Sequence, residues 1–123
     1  MQVLLIDDDP EVRKVLSRML RRAGHQAIEA SNGLEGMARL RTSSVDLVLT
    51  DIMMPGMNGI EFIKMARQHY PSLKVVAMSG GGRINNTDYL QQAGEFGAIA
   101  TIRKPFTSSE LQTLLDECCA TEA

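Results

Sequence analysis

Six residues of this chain have types and positions suited to shared chemistry: Asp7, Asp8, Asp9, Asp51, Ser79 and Lys104. They stand where short apolar runs end. Asp7 to Asp9 follow Val3–Ile6, Asp51 follows Leu47–Thr50, Ser79 follows Val75–Met78, and Lys104 comes just after Ile99–Ile102. If these runs are strands of one parallel sheet, carboxylates, a hydroxyl and an ammonium converge beyond the strands' carboxyl ends, where open α/β sheets bind ligands. Carboxylates crowded in this way repel unless a cation or a proton neutralises one of them. Magnesium suits such an all-oxygen set, since it is typically held by one or two carboxylates and leaves positions for water and phosphate oxygens. A carboxylate is also a nucleophile towards phosphorus and forms an aspartyl phosphate. Phosphoryl transfer depends on in-line placement and on neutralised oxygen charge more than on acid–base machinery. A divalent cation, Lys104 and Ser79 would each meet one oxygen. Asp51 is the best nucleophile, because it stands singly before the loop Met53-Met54-Pro55-Gly56-Met57-Asn58-Gly59.

The elements that must position these groups read clearly. The runs Val3–Ile6, Gln26–Glu29, Leu47–Thr50, Val75–Met78 and Ile99–Ile102 predict five strands. The first, third and fourth are almost continuously apolar, as expected where both sheet faces are covered. Gln26–Glu29 is mixed and predicts an edge strand. After Pro10, which suits a first helical turn, Val12, Val15, Leu16, Met19 and Leu20 recur at helical spacing, with Asp9 as the cap and Gly24 as the stop. Ser31 or Asn32 predicts the start of a second helix carrying Leu34, Met37 and Leu40. Asn58 predicts the start of a third with Ile60, Ile63 and Met65. Thr107 and Glu110 form a capping-box pattern before Leu111, Leu114 and Leu115. Between strands 4 and 5, Gly80–Gly82 and the polar residues after it leave only about two helical turns near Asp88–Ala93. Five strand–helix alternations argue for one α/β domain over residues 1–123, a parallel sheet between two helix layers with right-handed crossovers.

Composition excludes several classes. A net charge of −2 with interspersed signs offers no footprint for direct nucleic-acid binding and no polybasic membrane anchor. No signal-peptide pattern and no apolar run of the ~20 residues that span a bilayer is present. Cys118 and Cys119 are adjacent and the only cysteines, so neither a disulfide framework nor a CxxC metal site can form; two thiols in a reducing cytoplasm are expected. His25 and His69 belong to no metal or relay motif and are expected at the surface.

Leu4-Leu5-Ile6-Asp7-Asp8-Asp9-Pro10, Asp51-Ile52-Met53-Met54-Pro55-Gly56-Met57-Asn58-Gly59, Ser79-Gly80 and Lys104-Pro105-Phe106 together resemble the receiver domains of two-component response regulators. The resemblance covers essentially the whole chain in order. It implies a flavodoxin-like doubly wound sheet of order 2-1-3-4-5, an order that comes with the fold class and not from the residues. It implies Asp51 as phosphoacceptor, with Ser79 and Lys104 binding the phosphoryl oxygens. It implies a magnesium ion, or manganese in its stead, held by Asp8, by Asp7 directly or through water, by Asp51 and by the backbone carbonyl of Met53. Lys104–Pro105 is implied to be a cis peptide. The implied donor is a histidine kinase or histidine phosphotransfer protein, docking partly on helix 1. The implied output is a partner or a dimer, selected by the surface around strand 5 and its flanking helices; a monomer and a phosphorylation-dependent dimer are both open. Stand-alone regulator and receiver of a longer protein are both open.

Two departures stand out. Thr101 occupies the position three before the lysine where the family often carries Tyr or Phe, so an aromatic rotamer switch is absent there. The Gly80–Gly82 loop is longer by a few residues than in minimal receivers. Met53 and Gly81 flank the implied phosphoryl site and would tune its hydrolysis. Two rival readings compete. A small phosphatase working through an aspartyl phosphate would want an acidic residue two positions after the nucleophile, and that residue is Met53. A phosphorylation-independent binding module, flavin-binding or an inactive receiver, leaves the retained Asp8, Asp51 and Lys104 unexplained. The chain is thus expected to assist only its own phosphorylation and dephosphorylation and not to be an enzyme.

Overall fold

The five apolar runs pair into a parallel sheet because each is short, rich in β-branched residues and leucine, and bounded by polar residues or glycine. A computed structural model of the chain describes residues 1–52, 59–79, 94–95 and 97–120. The strands are β1 (Gln2–Ile6), β2 (Gln26–Ala30), β3 (Leu47–Asp51), β4 (Lys74–Ser79) and β5 (Ala100–Arg103), in the order β2-β1-β3-β4-β5 with every neighbouring pair parallel. β1, β3 and β4 are buried on both faces, and β2 lies at an edge, as their patterns predict. Asp51 and Ser79, expected just beyond their strands, are instead the last residues within them. The reason is the ladder itself, which continues to Asp51 opposite Met78 and to Ser79 opposite Arg103.

Four helices are described: α1 (Pro10–Arg22), α2 (Gly33–Thr42), α3 (Gly59–His69) and α4 (Ser108–Ala120). Alternation along the strands sends Val3, Leu5, Leu47 and Leu49 to one face, where Leu16, Leu20, Leu111, Leu115 and Phe106 cover them. Leu4, Ile6 and Val48 point the other way and pack with Met37, Leu40, Ile60, Phe62 and Ile63 of α2 and α3. Each fully buried leucine or isoleucine contributes roughly 1.5–3 kcal/mol against leaving it in water. Two expected core positions are exposed, Val15 at 51% and Leu34 at 67%. On α1, Leu16 and Leu20 take the sheet-facing line, and Val15, a third of a turn away, is left outside it. On α2 the close approach is made by Gly36, where an added Cβ would lie 2.5 Å from Ile6 Cδ1 and 3.1 Å from Phe62 Cε1; Leu34, two positions earlier, faces away.

The termini of the helices follow their sequence signals. Asp9 accepts hydrogen bonds from the N–H groups of Glu11 (2.9 Å) and Val12 (3.5 Å). At the other end of α1, Gly24 takes φ +90°, and the N–H groups of Gly24 and His25 donate to the carbonyls of Arg21 and Leu20, a Schellman closure. Asn32, rather than Ser31, caps α2 by accepting from Glu35 N–H at 2.8 Å, while the Glu35 carboxylate accepts from Ser31 N–H at 2.7 Å. Thr107 and Glu110 form the expected reciprocal pair at 3.0 and 3.1 Å. His69 is exposed as expected, but His25 is half-buried, its Nδ1 lying 3.2 Å from the Met1 amino nitrogen. Cys118 is buried among core residues; the Cys119 side chain lies outside the described residues. So do Met53, the Asn58 cap, the Gly80–Gly82 loop and the turns expected near Asp88–Ala93. Among the described residues, no helix is long and apolar enough to cross a membrane.

Candidate functional site

The register of the sheet assembles the site. Ile6 pairs with Thr50, so Asp7 and Asp51 leave adjacent strands side by side; Asp51 pairs with Met78, which brings Ser79 to the next strand end. Asp7 is 1% exposed and Asp51 6%, whereas Asp8 is open to solvent. Each of the three carboxylates offers one oxygen within 4.8 Å of the others.

Asp7 is tied on several sides. Its Oδ1 accepts from Asp9 N–H at 2.9 Å, its Oδ2 from Lys104 Nζ at 3.0 Å, and its carbonyl from Arg13 Nη1 at 2.7 Å. Lys104 Nζ also donates to Asp51 Oδ2 at 3.3 Å. The stem of Lys104 reaches the cleft from beyond β5, where its backbone N–H is fixed on the Ser79 carbonyl at 2.7 Å and the Lys104–Pro105 peptide is cis, as expected. Burial pulls the Lys104 ammonium's pKa down, but the charges of Asp51 and Asp7 and the hydrogen bonds to both outweigh it, and the net pKa lies above the ordinary lysine value of 10.5. Ser79 is fully buried, and its hydroxyl has no hydrogen-bond partner among the described residues. A buried hydroxyl left so at the edge of an acidic cleft suits an acceptor-rich guest such as a phosphoryl group.

The Asp51 backbone is braced from α3. Ile52, 1% exposed, donates its N–H to Met78 O at 3.0 Å and accepts from Gly59 N–H at 2.8 Å. At Gly59 an added Cβ would lie 2.3 Å from the Asp51 carbonyl oxygen and 2.6 Å from Ile52 Cα, so only glycine lets α3 start here.

Asp7, Asp8, Asp51 and Lys104 are therefore brought into one cluster, with Ser79 at the adjoining strand end. Asp9 stands apart as the α1 cap, and Met53 lies outside the described residues. Three carboxylate oxygens within 4.8 Å fit a hard divalent ion in donor type and crowding. Sequence reasoning passed over Arg13, and it placed Gly59 in the loop motif without its packing role. The signal for Arg13 is a basic residue one turn after the Asp9 cap, beside an acidic turn it can reach. For Gly59 it is a glycine at a helix start, where a better helix former is expected. Thr101, in β5, is exposed.

The family described as "Response regulator receiver domain" matches residues 3–116. Sporulation initiation phosphotransferase F of Bacillus subtilis is 32% identical over 111 residues, covering 90% of this chain and 87% of that protein. The DNA-binding transcriptional regulator NtrC of Salmonella typhimurium is 35% identical over 114 residues, 93% of this chain but only 24% of NtrC. Among solved structures, a response regulator receiver domain protein from Clostridium thermocellum superposes with a TM-score of 0.89 at 25% identity, covering 98% of this chain and 95% of that one. The response regulator protein TrrA of Thermotoga maritima, in complex with Mg(2+)-BeF, superposes with a TM-score of 0.83 at 26% identity, covering 94% and 96%.

Proposed function

The chain belongs to the response regulator receiver domain family, and from that premise we propose that Asp51 accepts a phosphoryl group from a phosphohistidine donor with magnesium bound between Asp7, Asp8 and Asp51. The observation that carries the reading is Lys104 Nζ lying 3.0 Å from Asp7 and 3.3 Å from Asp51, which unites strand ends far apart in sequence around one buried carboxylate. Magnesium, or manganese in its place, neutralises charge on phosphoryl oxygens when bound. The backbone carbonyl of Met53, outside the described residues, completes the ligand set that the family pattern gives.

The chain's own residues do the rest. The Asp51 carboxylate forms a bond to phosphorus as the donor's phosphorus–nitrogen bond breaks, and the donor nitrogen keeps the bonding pair. Lys104 exchanges its contact with Asp51 for one with a phosphoryl oxygen, and the Ser79 hydroxyl donates to another. Gly59 holds the backbone that aims Asp51. No carboxyl group follows two residues after Asp51, where a general acid would stand, so we read the chain as a phosphoacceptor and not a turnover enzyme.

The donor, a histidine kinase or histidine phosphotransfer protein, would dock beside the acidic cleft. A depression of about 520 Å³ there is lined by Val12, Val15, Leu16 and Met19 of α1 and by Pro105 and Phe106. The exposure of Val15 fits that role. The output is a change in the surface near β5 and α4 that selects a partner or a dimer. The cytoplasm is the compartment of this reading, in keeping with a chain whose only two cysteines are adjacent. Incubation with acetyl phosphate and magnesium should label the wild-type protein, with the base- and hydroxylamine-labile signature of an acyl phosphate. Asp51→Asn should not label, and labelling that persists in this variant refutes the assignment.

A further inference from the structure

We infer that Arg13 is a positioning residue for the divalent-cation site, an inference that rests on the metal reading above. Arg13 touches none of the three cluster carboxylates in the hydrogen bonds described for it. Its Nη1 donates to the Asp7 backbone carbonyl at 2.7 Å, and its Nε lies 3.4 Å from Glu29 Oε1. One guanidinium thus ties α1 to the end of β1 and to the edge strand β2, where Leu5 pairs with Glu29 and the Asp7 N–H donates to the Ala30 carbonyl at 3.2 Å. The Arg13 side chain is only 18% exposed, against 39% for Glu29, so the contact is sheltered on the arginine side.

The turn it holds is the one that carries Asp7 and Asp8. Asp7 follows the last residue of β1; its N–H is held by the Ala30 carbonyl, and Arg13 holds its carbonyl as well. With the carbonyl clamped, the Asp7 carboxylate is aimed before a cation arrives, and less ordering is required at binding. The planar fork of arginine suits this double contact; a lysine at the same position has one point of charge and cannot reach both partners in the same way.

The sign of the effect separates this role from simple electrostatics. Removing a positive charge beside a cation site should tighten cation binding. Loss of a clamp on a ligand-bearing residue should weaken it, by about tenfold for a group that orients a ligand without itself binding the metal. The test is calorimetric titration of the intact chain with magnesium alone, on wild type, Arg13→Ala, Arg13→Lys and Glu29→Gln, with melting temperatures recorded in parallel. Arg13→Ala and Arg13→Lys are expected to raise the magnesium Kd about tenfold. The magnesium concentration for half-maximal labelling by acetyl phosphate should rise in step, while the rate at saturating magnesium stays near that of the wild type. Arg13→Lys keeps the positive charge while losing the double contact, so a weaker site there is not an effect of charge, and it carries the test if Arg13→Ala does not fold. Glu29→Gln, which keeps the Asp7 contact but removes a negative charge, should weaken binding less than either. An unchanged or lower Kd in Arg13→Ala, or in Arg13→Lys where only that variant folds, overturns the inference while leaving the metal site intact. Absence of magnesium binding by the wild type overturns the metal reading and this inference with it.

Discussion

Replacing Gly59 with alanine should damage the site far more than a single methyl group suggests. The new Cβ would lie 2.3 Å from the Asp51 carbonyl oxygen and 2.6 Å from Ile52 Cα, both backbone atoms with no rotamer to yield. Favourable carbon contacts begin near ~3.5 Å, so α3 and the end of β3 must part by about 1 Å. Overpacking of this kind costs about 1–3 kcal/mol. At roughly 4 °C per kcal/mol for a chain of this length, the melting temperature should fall by about 4–12 °C. The functional loss should be larger than the thermal one, because a 1 Å displacement of a reacting group can cost about 100-fold in rate. Gly36→Ala supplies the control. Its Cβ would meet Ile6 Cδ1 at 2.5 Å, the end of a flexible side chain packed in the core layer under α2 and α3. That variant should also melt earlier but, assayed well below its transition, should be labelled by acetyl phosphate at nearly the wild-type rate. The comparison needs only a thermal melt and a time course of phosphorylation at saturating magnesium. A Gly59→Ala protein that melts and labels like the wild type, or a Gly36→Ala protein that labels just as poorly, would refute the reasoning.

Lys104→Met removes the cation now shared by Asp7 and Asp51, so magnesium should bind about tenfold more tightly even as phosphorylation slows, which calorimetry and labelling would read separately. In metal-free protein the same lysine contributes stability whose sign is set by its raised pKa. The contribution is complete below the unfolded-state value near 10.5 and disappears as pH climbs through the higher folded-state value, so alkaline denaturation should be steeper in wild type than in Lys104→Met. Ser79→Ala should slow transfer by about 100-fold with little change in melting temperature, since its buried hydroxyl has no partner among the described residues to lose. A drop of several degrees there would instead indicate a structural bond.

Much of this arrangement was legible in the sequence because the signals were redundant. Continuous apolar runs specified β1, β3 and β4, and each ended in a residue too polar to be there for packing alone. The caps at Asp9 and at Thr107 with Glu110 were readable because their mechanism is local. The strand order was not readable from periodicity at all; it came with a resemblance. What escaped depended on contacts between distant segments. Val15 fits an apolar stripe by spacing, but only the packing of α1 on the sheet decides that Leu16 and Leu20 define the buried line. Leu34 is likewise displaced by the glycine contact of α2. Arg13 looks like any surface arginine until the carbonyl it clamps is known. Half-buried His25 could not be inferred either, because its neighbour is the start of the chain.

The pairing of Ile6 with Thr50, Asp51 with Met78 and Ser79 with Arg103 has a further consequence. Because β3 is enclosed on both faces, shifting it by one position would turn Asp51 from the cleft into hydrocarbon and drive the interior side chains of the strand to the wrong layers. The geometry of the reactive cluster is therefore inherited from the cohesion of the hydrophobic interior. Residues added between elements should be tolerated, whereas deleting one residue inside β3 should erase both the chemistry and the fold in a single step.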